Sequence, residues 1–497
     1  MLNISPRLYF KKLSAYVDEL APFKEQKMKE KIFRKLPYQL KVLAVSYLGI
    51  KNHKKRFSGQ YDEYYRMYKQ LWKADLSEVI SFQTKKTESL LTEVIIFSDW
   101  YREKAEANGI TADDIHKDPI AALKRFPILQ KEERRSFTDK IINRNPTRVI
   151  RNIGYTSGTT GSPSLNLTDS DSITAGFALW RRFHTSIGLP ETTFKNVRFS
   201  GKIFVEPSCQ KPPFWVYNMI EKQLLMSSYH LSDKHMKHYI KKLNKFRPVF
   251  LDGYPSAFYI LADYMKRAKL SLTFIPIAIA TTSESLFDYQ RKLIEEVFKC
   301  KVFNQYASSE GGPFITECKN GKLHLNLDSG FFEFFRPDGT EAKPGDTAEM
   351  VVTSLKTFKL PLIRYAIKDV VELPLVEGEC GCGCKMPTVQ KIVGREDDVL
   401  WTKDRGYIGR MDPAFKGLKH ILKTQIVQKS ADLVEIYCIV DSQYTQEIEN
   451  LFLNSLRERL GTCIEIKFYY VDNISLGSNG KFDAVRREFP LPADIDN

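Results

Sequence analysis

Residues 155–163 read Tyr155-Thr156-Ser157-Gly158-Thr159-Thr160-Gly161-Ser162-Pro163. Glycines take up positive φ angles and let a ligand approach the backbone, so successive N–H groups can point at phosphate oxygens while hydroxyls add donors. We predict a strand at residues 148–150 and a helix at 169–185, since strand, loop and helix form the usual context of a phosphate-binding loop. The stretch lacks the Gly-Lys-Ser/Thr of a Walker A motif. It indicates an enzyme that binds ATP, and an ordinary surface loop is the alternative.

The bulk composition indicates a globular, intracellular chain. Its 497 residues are 43% hydrophobic and 27% charged, enough for a large core and two or more domains. No apolar run is long enough to cross a bilayer, and the N-terminus lacks the pattern of a secretory signal, so we expect a cytoplasmic location. Eight cysteines are too few for a disulfide scaffold, and Cys380, Cys382 and Cys384 lie within five positions. That cluster suggests a metal site.

The positive charge is concentrated near the N-terminus. The formal net charge is +15, and residues 1–72 hold 16 Lys and Arg against 6 Asp and Glu. Residues 31–56 run basic, apolar and basic again, which could suit peripheral contact with the inner face of an anionic membrane or contact with an acidic partner. The favoured alternative is a docked helix whose apolar stripe packs on the main domain. No nucleic-acid partner is expected, since the basic residues are not part of a known binding motif.

The periodicity predicts an α/β fold. It is mostly helical to about residue 137, with 89–106 the clearest amphipathic helix. Short apolar runs at 249–251, 277–280 and 302–303 alternate with helical patterns at 256–270 and 286–298, as in a largely parallel sheet covered by helices. β-rich segments follow at 323–327, 331–335, 348–354 and 362–366. A small α+β unit ends the chain, with strands at 425–428, 433–440 and 464–470 around a helix at 446–459.

Several further motifs occur in a fixed order, and each alone is weak. They are Pro213-Phe214-Trp215, Ser227-Ser228-Tyr229-His230, Asp252-Gly253-Tyr254-Pro255-Ser256, Tyr306-Ala307-Ser308-Ser309-Glu310-Gly311-Gly312, Arg364-Tyr365 with Asp369, Gly394-Arg395-Glu396-Asp397-Asp398, and Gly480-Lys481-Phe482. With the 155–163 loop, this ordered set resembles the adenylate-forming (acyl-AMP/acyl-CoA synthetase) superfamily. Within it, the sequence resembles the phenylacetate-CoA ligase-like and capsule-biosynthesis CapK-like branch.

The resemblance implies a two-step ligase dependent on ATP and Mg²⁺. A carboxylate attacks the α-phosphorus of ATP, pyrophosphate leaves, and a second nucleophile, often the thiol of coenzyme A, takes the acyl group. Catalysis then depends on positioning and charge stabilisation. The implied fold has a helical, basic extension (1–137), a core of mixed and parallel sheets (138–396) with a β-rich, zinc-containing subdomain (about 313–396), and a small mobile C-terminal lid (397–497).

The resemblance also assigns roles to single residues. Nucleotide contacts fall on Thr156, Ser157, Gly158, Thr159, Thr160, Gly161, Ser308 and Ser309. Tyr306 is expected to stack on adenine, Asp369 to accept from the ribose hydroxyls, Glu310 to hold Mg²⁺, Arg395 to lie near ribose and phosphate, Lys481 to meet the carboxylate and α-phosphate, and Asp397 to act as the hinge. Outside the motif order, each has a plain structural alternative, such as a core tyrosine or a surface ion pair.

Three positions depart from the family pattern. Ser164 stands where many members have a lysine, Ala307 replaces a glycine, and Lys368 stands where glycine often precedes the ribose aspartate. Trp215, His230 and Tyr254 resemble the capsule-associated branch and are candidates for the substrate pocket. Other aromatic side chains that could line it are Phe199, Phe214, Tyr217 and Tyr229.

A zinc site is expected at Cys318, His324, Cys380 and Cys382. Zn²⁺ takes thiolate and imidazole ligands, but spacing alone leaves a loose group of reduced cysteines as the alternative. The resemblance favours zinc and selects Cys380 and Cys382 through the position of Pro387, which leaves the role of Cys384 open. Four protein ligands imply a structural metal.

Three functions therefore follow. The first is an acid-CoA ligase, whose partners are a small-molecule carboxylic acid and CoA. The second is an adenylating enzyme that passes its acyl group to an amine, a sugar or a carrier protein in capsular or surface polysaccharide biosynthesis. The third is a catalytically silent scaffold with the same fold, suggested by Ser164 and Lys368.

Overall fold

The computed structural model describes most of the chain. The described residues are 32–156, 164–206, 208–284, 286–336, 338–376, 378–393, 400–404, 406–408, 411, 414, 418, 420–474 and 485–488. Within these ranges, no helix is both long and apolar enough to cross a bilayer.

The helices of the described ranges are α1 (Tyr38–Arg56), α2 (Tyr61–Leu71), α3 (Leu76–Phe97), α4 (Asp99–Ala107), α5 (Ala112–Lys117), α6 (Pro119–Arg125), α7 (Lys131–Ser136), α8 (Thr138–Ile141), α9 (Ser170–Ser186), α10 (Asp233–Phe246), α11 (Pro255–Arg267), α12 (Asp288–Phe298) and α13 (Gln446–Leu460). The prediction of helices up to about residue 137 agrees with the structure where it is described, from residue 32 onward, and residues 1–31 lie outside the described ranges. The single helix predicted at 89–106 is wrong, because Ser98 has extended backbone angles and separates α3 from α4. Its hydroxyl instead donates to the carbonyl of Lys140 at 3.0 Å.

The strands of the described ranges are β1 (Asn152–Thr156), β2 (Ser164–Thr168), β3 (Asn196–Ser200), β4 (Trp215–Asn218), β5 (Gln223–Ser227), β6 (Phe250–Gly253), β7 (Ala278–Thr281), β8 (Val302–Tyr306), β9 (Ile315–Glu317), β10 (Leu323–Leu325), β11 (Gly330–Phe335), β12 (Thr347–Ser354), β13 (Tyr365–Glu372), β14 (Thr388–Val389), β15 (Lys391–Val393), β16 (Leu400–Thr402), β17 (Gly406–Ile408), β18 (Ile421–Ser430), β19 (Leu433–Val440), β20 (Glu465–Tyr470) and β21 (Val485–Arg487).

The largest sheet of the described part has the strand order β14-β10-β9-β8-β7-β6-β3-β5-β4. The central strands β8, β7, β6, β3 and β5 are parallel. Helices α10, α11 and α12 lie between them along the chain and pack a core on the sheet, with Tyr239, Phe258 and Ile294 fully buried. The predicted alternation of strands and helices, and the α/β fold class, are confirmed.

The phosphate-loop candidate joins two strands of a hairpin. The strand predicted at 148–150 begins only at Asn152, since the Asn145 side chain accepts from Thr147 N at 3.0 Å in a turn and Arg148 is paired with Glu93. β1 then pairs antiparallel with β2, from Asn152 opposite Thr168 to Thr156 opposite Ser164. The predicted helix is present as α9, but β2 precedes it. The context is therefore strand, loop, strand, helix.

The β-rich region is divided between two sheets. Strands β11, β12, β13 and β15 form a separate four-stranded antiparallel sheet. Strands β9, β10 and β14 extend the large sheet instead. The strand predicted at 362–366 begins only at Tyr365, because Leu362 and Ile363 are fully buried in an irregular segment of the core. An apolar run alone does not separate a strand from a buried loop.

The C-terminal residues form a compact α+β unit, as predicted. Its sheet has the order β20-β19-β18-β21, and α13 packs on it through the buried side chains of Phe452 and Leu456. The carboxyl end of α13 contacts the rest of the molecule. Glu458 pairs with Arg34 at 2.8 Å, and Arg459 donates to the hydroxyl of Tyr229 at 2.8 Å.

Candidate functional site

Tyr306 and Asp369, two predicted nucleotide contacts, meet in the structure. Tyr306 is the last residue of β8 in the large sheet, and Asp369 lies on β13 of the four-stranded sheet. The Tyr306 hydroxyl donates to Oδ2 of Asp369 at 2.6 Å. Burial, together with the nearby Asp369 carboxylate, raises the pKa of the tyrosine well above its usual value. The hydroxyl therefore remains a donor at neutral pH and links the two sheets.

Glu310 follows β8 in a turn close to this pair. Burial is the main reason that the pKa of Tyr365 is raised, and the Glu310 carboxylate is the next cause. The same carboxylate acts on Arg135, whose pKa is lowered chiefly by burial. Glu310 thus shares one electrostatic environment with Tyr306, Tyr365 and Arg135. A partly buried carboxylate among these groups has the chemistry of a Mg²⁺ ligand.

The peptide after Glu310 is held by three donors. The carbonyl of Gly311 accepts from Ser354 Oγ at 2.7 Å, from Thr357 Oγ1 at 2.7 Å and from Lys356 Nζ at 3.1 Å. Gly311 has a φ of +94°, and a Cβ there would lie 2.6 Å from Thr357 Oγ1. Only glycine therefore fits without a shift.

Lys356 is buried beneath this turn. Its ammonium lies 4.6 Å from the ring centroid of Phe314, and burial lowers its pKa to about 8. The lysine is therefore still mostly protonated at neutral pH but loses its charge more readily than an exposed lysine, and the group can donate to the Gly311 carbonyl in either state.

A second set of contacts joins the hairpin to the Glu310 segment. Arg134 is fully buried on α7, and its Nη2 donates to the carbonyl of Leu165 and to Oδ1 of Asn166, both at 3.1 Å. The Asn166 side chain in turn donates to the carbonyl of Ser309. These contacts run from Arg134 through Asn166 to Ser309. They hold the hairpin that carries the phosphate-loop candidate against the turn that contains Glu310.

Several predicted residues lie outside the described ranges. These are Ser157, Gly158, Thr159, Thr160, Gly161, Arg395, Asp397 and Lys481. Thr156 ends β1, and Ser164, which stands at the family's lysine position, begins β2. Ser308 accepts from the Gly312 N–H at 2.9 Å and so closes the turn around Glu310. Ala307, at a glycine position of the family, is half-buried against the aromatic cluster that contains Trp180.

Two tyrosines hold the backbone of Gly201 at the carboxyl ends of the parallel strands. Tyr254 accepts from the Gly201 N–H at 2.7 Å, and Tyr229 donates to the Gly201 carbonyl at 2.9 Å. Gly253 permits this approach, because a Cβ there would lie 2.5 Å from the carbonyl oxygen of Phe199. The carboxyl ends of strands are where open α/β sheets bind ligands. Tyr254 therefore lies at the edge of the sheet where a substrate pocket is expected.

The other two pocket candidates are placed differently. His230 is buried, with Nδ1 2.8 Å from Ser227 Oγ and Nε2 3.0 Å from the Glu206 carbonyl, and its ring stacks on Phe214. These contacts fix the segment that carries Tyr229. Trp215 lies on the edge strand β4, five strands from β8, which is roughly 24 Å at the usual strand spacing. At that separation Trp215 lies well away from Tyr306.

The cysteine and histidine candidates converge on one point. The ligand atoms of Cys318, His324, Cys380 and Cys382 all lie within 4.8 Å of one another. The Cys318 and Cys380 sulfurs are 3.3 Å apart, and Cys382 Sγ lies 3.4 Å from His324 Nε2. His324 Nδ1 donates to the carbonyl of Met386 at 2.8 Å. That bond leaves the Nε2 lone pair directed at the thiols, as in metal-bound histidines.

The three candidate thiols differ in acidity: the pKa of Cys318 is lowered, while burial is the main reason that the pKa of Cys380 is raised to about 12 and that of Cys382 is also raised. Burial raises the pKa of Cys318, but the contact with His324 and hydrogen bonds from the backbone lower it by more, to about 6. The fourth nearby cysteine, Cys384, is buried, and burial raises its pKa to about 12. Its side chain belongs to the hydrophobic cluster with Met386 and Phe314. One thiol at a strand end, two on a loop and one imidazole on a strand are a donor set that fits Zn²⁺.

Three residues of this region were not predicted from the sequence. Arg134 follows Glu132-Glu133, and Lys356 is one of two lysines in a stretch of alternating polar and apolar residues, so both resemble solvated side chains. Asn166 offered a weak signal, because it alternates with Leu165 and Leu167 as in a half-buried strand. Only the tertiary contacts distinguish these residues from the many other polar side chains of the chain.

Comparison with known proteins defines the family. The chain is 31% identical over 457 residues to Protein CapK of Staphylococcus aureus, covering 90% of this chain and 97% of that protein. It is 24% identical over 340 residues to the phenylacetate-coenzyme A ligase of Escherichia coli (strain K12), covering 66% of this chain and 73% of that enzyme. The model of the CapK C-terminal domain matches residues 400–488.

Solved structures show the same fold. The structure of 2-hydroxyisobutyryl-CoA ligase in complex with 2-HIB-AMP and CoA, in its thioesterification state, superimposes with a TM-score of 0.54 at 16% identity and covers 84% of this chain and 91% of that one. The postadenylation state of the same ligase with R3-HIB-AMP gives 0.51 at 15% identity, covering 85% and 92%. Because CapK matches it over nearly the whole length of both chains, and because the fold is that of the ligases, this chain belongs to the CapK family, on the phenylacetate-CoA ligase-like branch of the adenylate-forming ligases.

Proposed function

We propose that this chain activates a carboxylic acid as an acyl-adenylate and then transfers the acyl group to an acceptor. The observation that carries the proposal is the Tyr306–Asp369 hydrogen bond of 2.6 Å beside Glu310. The bond links the partly buried ring of Tyr306, at the carboxyl end of a parallel strand, to Asp369, an acceptor for ribose hydroxyls. Glu310 beside them is a hard ligand for Mg²⁺. Those are the groups that a Mg²⁺-bound adenine nucleotide requires.

In the first step, a substrate carboxylate oxygen bonds to the α-phosphorus of ATP. The bond from that phosphorus to the bridging oxygen breaks, and pyrophosphate leaves with the electron pair. We propose that Asp369 and Tyr306 orient the nucleoside, while residues 156–161 with Ser308 and Ser309 hold the phosphates. Glu310 would hold Mg²⁺, and Arg395 and Lys481 would stabilise the negative charge that develops at phosphorus.

In the second step, an acceptor nucleophile attacks the acyl carbon and AMP leaves. We propose coenzyme A as the acceptor, because relatives of this chain are phenylacetate-coenzyme A ligases and the structural neighbour was solved with CoA. Asp397 would serve as the hinge for the movement of the C-terminal unit between the two steps. The similarity to CapK over nearly the whole chain supports a second candidate, transfer to an amine, sugar or carrier in capsular polysaccharide assembly.

The first test is acid-dependent exchange of pyrophosphate into ATP over a panel of carboxylic acids. Lys481→Ala is the site variant, and Lys237→Ala, an exposed lysine on α10, is its control. Exchange that needs an acid and is lost only in Lys481→Ala supports adenylation. Absence of exchange with every acid favours the catalytically silent scaffold. If exchange occurs but CoA does not accelerate consumption of the acid, CoA is excluded as the acceptor. An amine, a sugar or a carrier protein is then the acceptor.

We also propose a structural Zn²⁺ bound by Cys318, His324, Cys380 and Cys382. Four protein donors would complete a tetrahedral site and leave no position for a reacting water. Cys318 follows β9, His324 lies on β10, and the two other cysteines precede β14. The metal would therefore fasten the outer strands of the large sheet to the loop ahead of β14.

A further inference from the structure

Helix α1 exposes an apolar face. Leu40, Leu43, Tyr47 and Ile50 are 48, 57, 57 and 54% exposed. Their spacing of three and four residues sets them on one side of the helix over about 15 Å. We call these four residues the outer face. Single exposed apolar residues are ordinary on protein surfaces, but a contiguous row of four marks an interaction site.

The opposite side of α1 explains why the outer face cannot turn inward. Val42 and Val45 pack on the buried side chains of Phe204, Val205 and Val216. The Ser46 hydroxyl accepts from the Met219 N–H at 3.1 Å. At Gly49 a Cβ would lie 2.6 Å from Asn218 Oδ1. The docked helix favoured from the sequence is therefore present, yet a docked helix normally shows solvent a polar face.

Lysines continue the outer face at its carboxyl end. Lys51 and Lys54 are exposed and lie four residues beyond Tyr47 and Ile50, hence on the same side of the helix. The Lys51 ammonium lies 4.7 Å from the ring centroid of Tyr47. The helix contains no Asp or Glu, and the whole chain has a formal net charge of +15. Apolar side chains beside these cations match a surface that combines acyl chains with anionic headgroups.

We propose that the outer face of α1 docks on an anionic phospholipid bilayer. The side chains of Leu43 and Tyr47 enter the boundary between headgroups and acyl chains, while Lys51 and Lys54 contact phosphate groups. A second copy of the chain is the alternative occupant; if the two helices packed in parallel it would bring the two lysine pairs together, and light scattering tests either arrangement. The cytoplasmic leaflet carries anionic lipid, so the surface suits an enzyme held at that leaflet. This inference does not depend on the proposed reaction.

The test is co-sedimentation of the full-length chain with vesicles. We expect binding to vesicles of phosphatidylcholine mixed with phosphatidylglycerol, and weak binding to phosphatidylcholine alone. Leu43→Ser with Tyr47→Ser should weaken partitioning by about tenfold or more. Lys51→Gln with Lys54→Gln should weaken it by on the order of tenfold at low salt, with a smaller effect at high salt.

Two matched variants serve as controls. Leu375→Ser with Val376→Ser removes two apolar side chains that are each 81% exposed in a loop. Lys237→Gln with Lys241→Gln removes two exposed lysines from α10. Both should bind vesicles as the unchanged chain does, and all variants should keep the melting temperature, since the altered side chains lie at the surface.

Three results would overturn the proposal. One is failure of the unchanged chain to bind anionic vesicles. Another is equal weakening in the control variants, which would indicate general surface effects. A third is a dimer in light scattering that dissociates in Leu43→Ser with Tyr47→Ser while vesicle binding is unaffected, which would identify the outer face as an interface between copies.

Discussion

Tyr306 donates a 2.6 Å hydrogen bond from its hydroxyl to Asp369, and this bond connects the last residue of a central parallel strand with a strand of the neighbouring antiparallel sheet. The two residues are 63 positions apart in the chain. Because the partly buried tyrosine remains protonated, it orients the carboxylate. In the proposed reaction that carboxylate accepts from the ribose.

Tyr306→Phe should therefore weaken nucleotide binding. Loss of a hydrogen bond to a charged group should raise KM for ATP in the exchange assay by about tenfold. Tyr437→Phe is a matched control, because Tyr437 donates to Glu435 at 2.7 Å in the C-terminal unit. It should leave KM for ATP unchanged. Equal KM values for Tyr306→Phe and the unchanged chain would contradict a role of the Tyr306–Asp369 pair in nucleotide binding.

Asn166→Ala should uncouple the hairpin from the turn that carries Glu310. The variant loses the bond to the Ser309 carbonyl and one partner of the buried Arg134. We expect kcat for exchange to fall by about tenfold. Asn244→Ala loses a comparable bond of 2.8 Å to the Thr273 N–H on the surface. It should reduce stability to a similar extent without slowing exchange. Parallel losses of rate in both variants would indicate an effect of stability alone.

Lys356 should make unfolding depend on pH. Its pKa is lowered by burial from 10.5 to about 8 in the folded chain, so between these values the unfolded chain binds more protons. The free energy of unfolding should rise with pH across that window, by at most about 3 kcal/mol from this group. Lys356→Met should lack this contribution. Denaturant titrations at pH 7 and above pH 10 would measure it, and parallel pH curves for the two proteins would contradict it.

Metal analysis should find about one zinc per chain, held by four protein ligands. Cys380→Ser should lose it and become less stable, because binding free energy contributes to folding. Cys384→Ser removes a buried core thiol, and Cys463→Ser an exposed one. Both should keep the metal. A folded chain purified without any metal would contradict the proposed site.

Lys368→Gly should stabilise the chain. Lys368 has a φ of +62°, a left-handed conformation that costs a residue with a Cβ roughly 1 kcal/mol, partly offset by the greater freedom of glycine when unfolded. The net gain should be about 0.5 kcal/mol. Lys343→Gly, at an exposed position without a positive φ, should instead destabilise. Thermal unfolding measures both, and a loss of stability in Lys368→Gly would contradict the argument. The departure from the family's glycine thus carries a local backbone cost.

Much of the fold was predictable, because hydrophobic periodicity is a local property. Strands β6, β7 and β8 and helices α11 and α12 were recognised within a few residues. Errors arose where a local pattern has more than one solution. The apolar residues Leu362 and Ile363 form a buried irregular segment, and the phosphate-loop candidate is followed by β2 before the helix.

The site was predicted to a different degree at each residue. The motif order singled out Tyr306, Asp369 and Glu310, and the structure brings these three together. It also brings together the four cysteine and histidine candidates. Arg134 and Lys356 were not predicted, because the sequence does not show that a charged side chain is buried; only packing does.

The sequence by itself determined the alternation of strands and helices from residue 249 to 306, the residue types available for nucleotide and metal, and the excess of positive charge. These depend on spacings of a few residues and on composition. Tertiary structure alone decided which distant groups meet, as Tyr306 meets Asp369, and which side of α1 remains outside. Both outcomes depend on how sheets and helices pack, and packing joins residues whose separation along the chain carries no local signal.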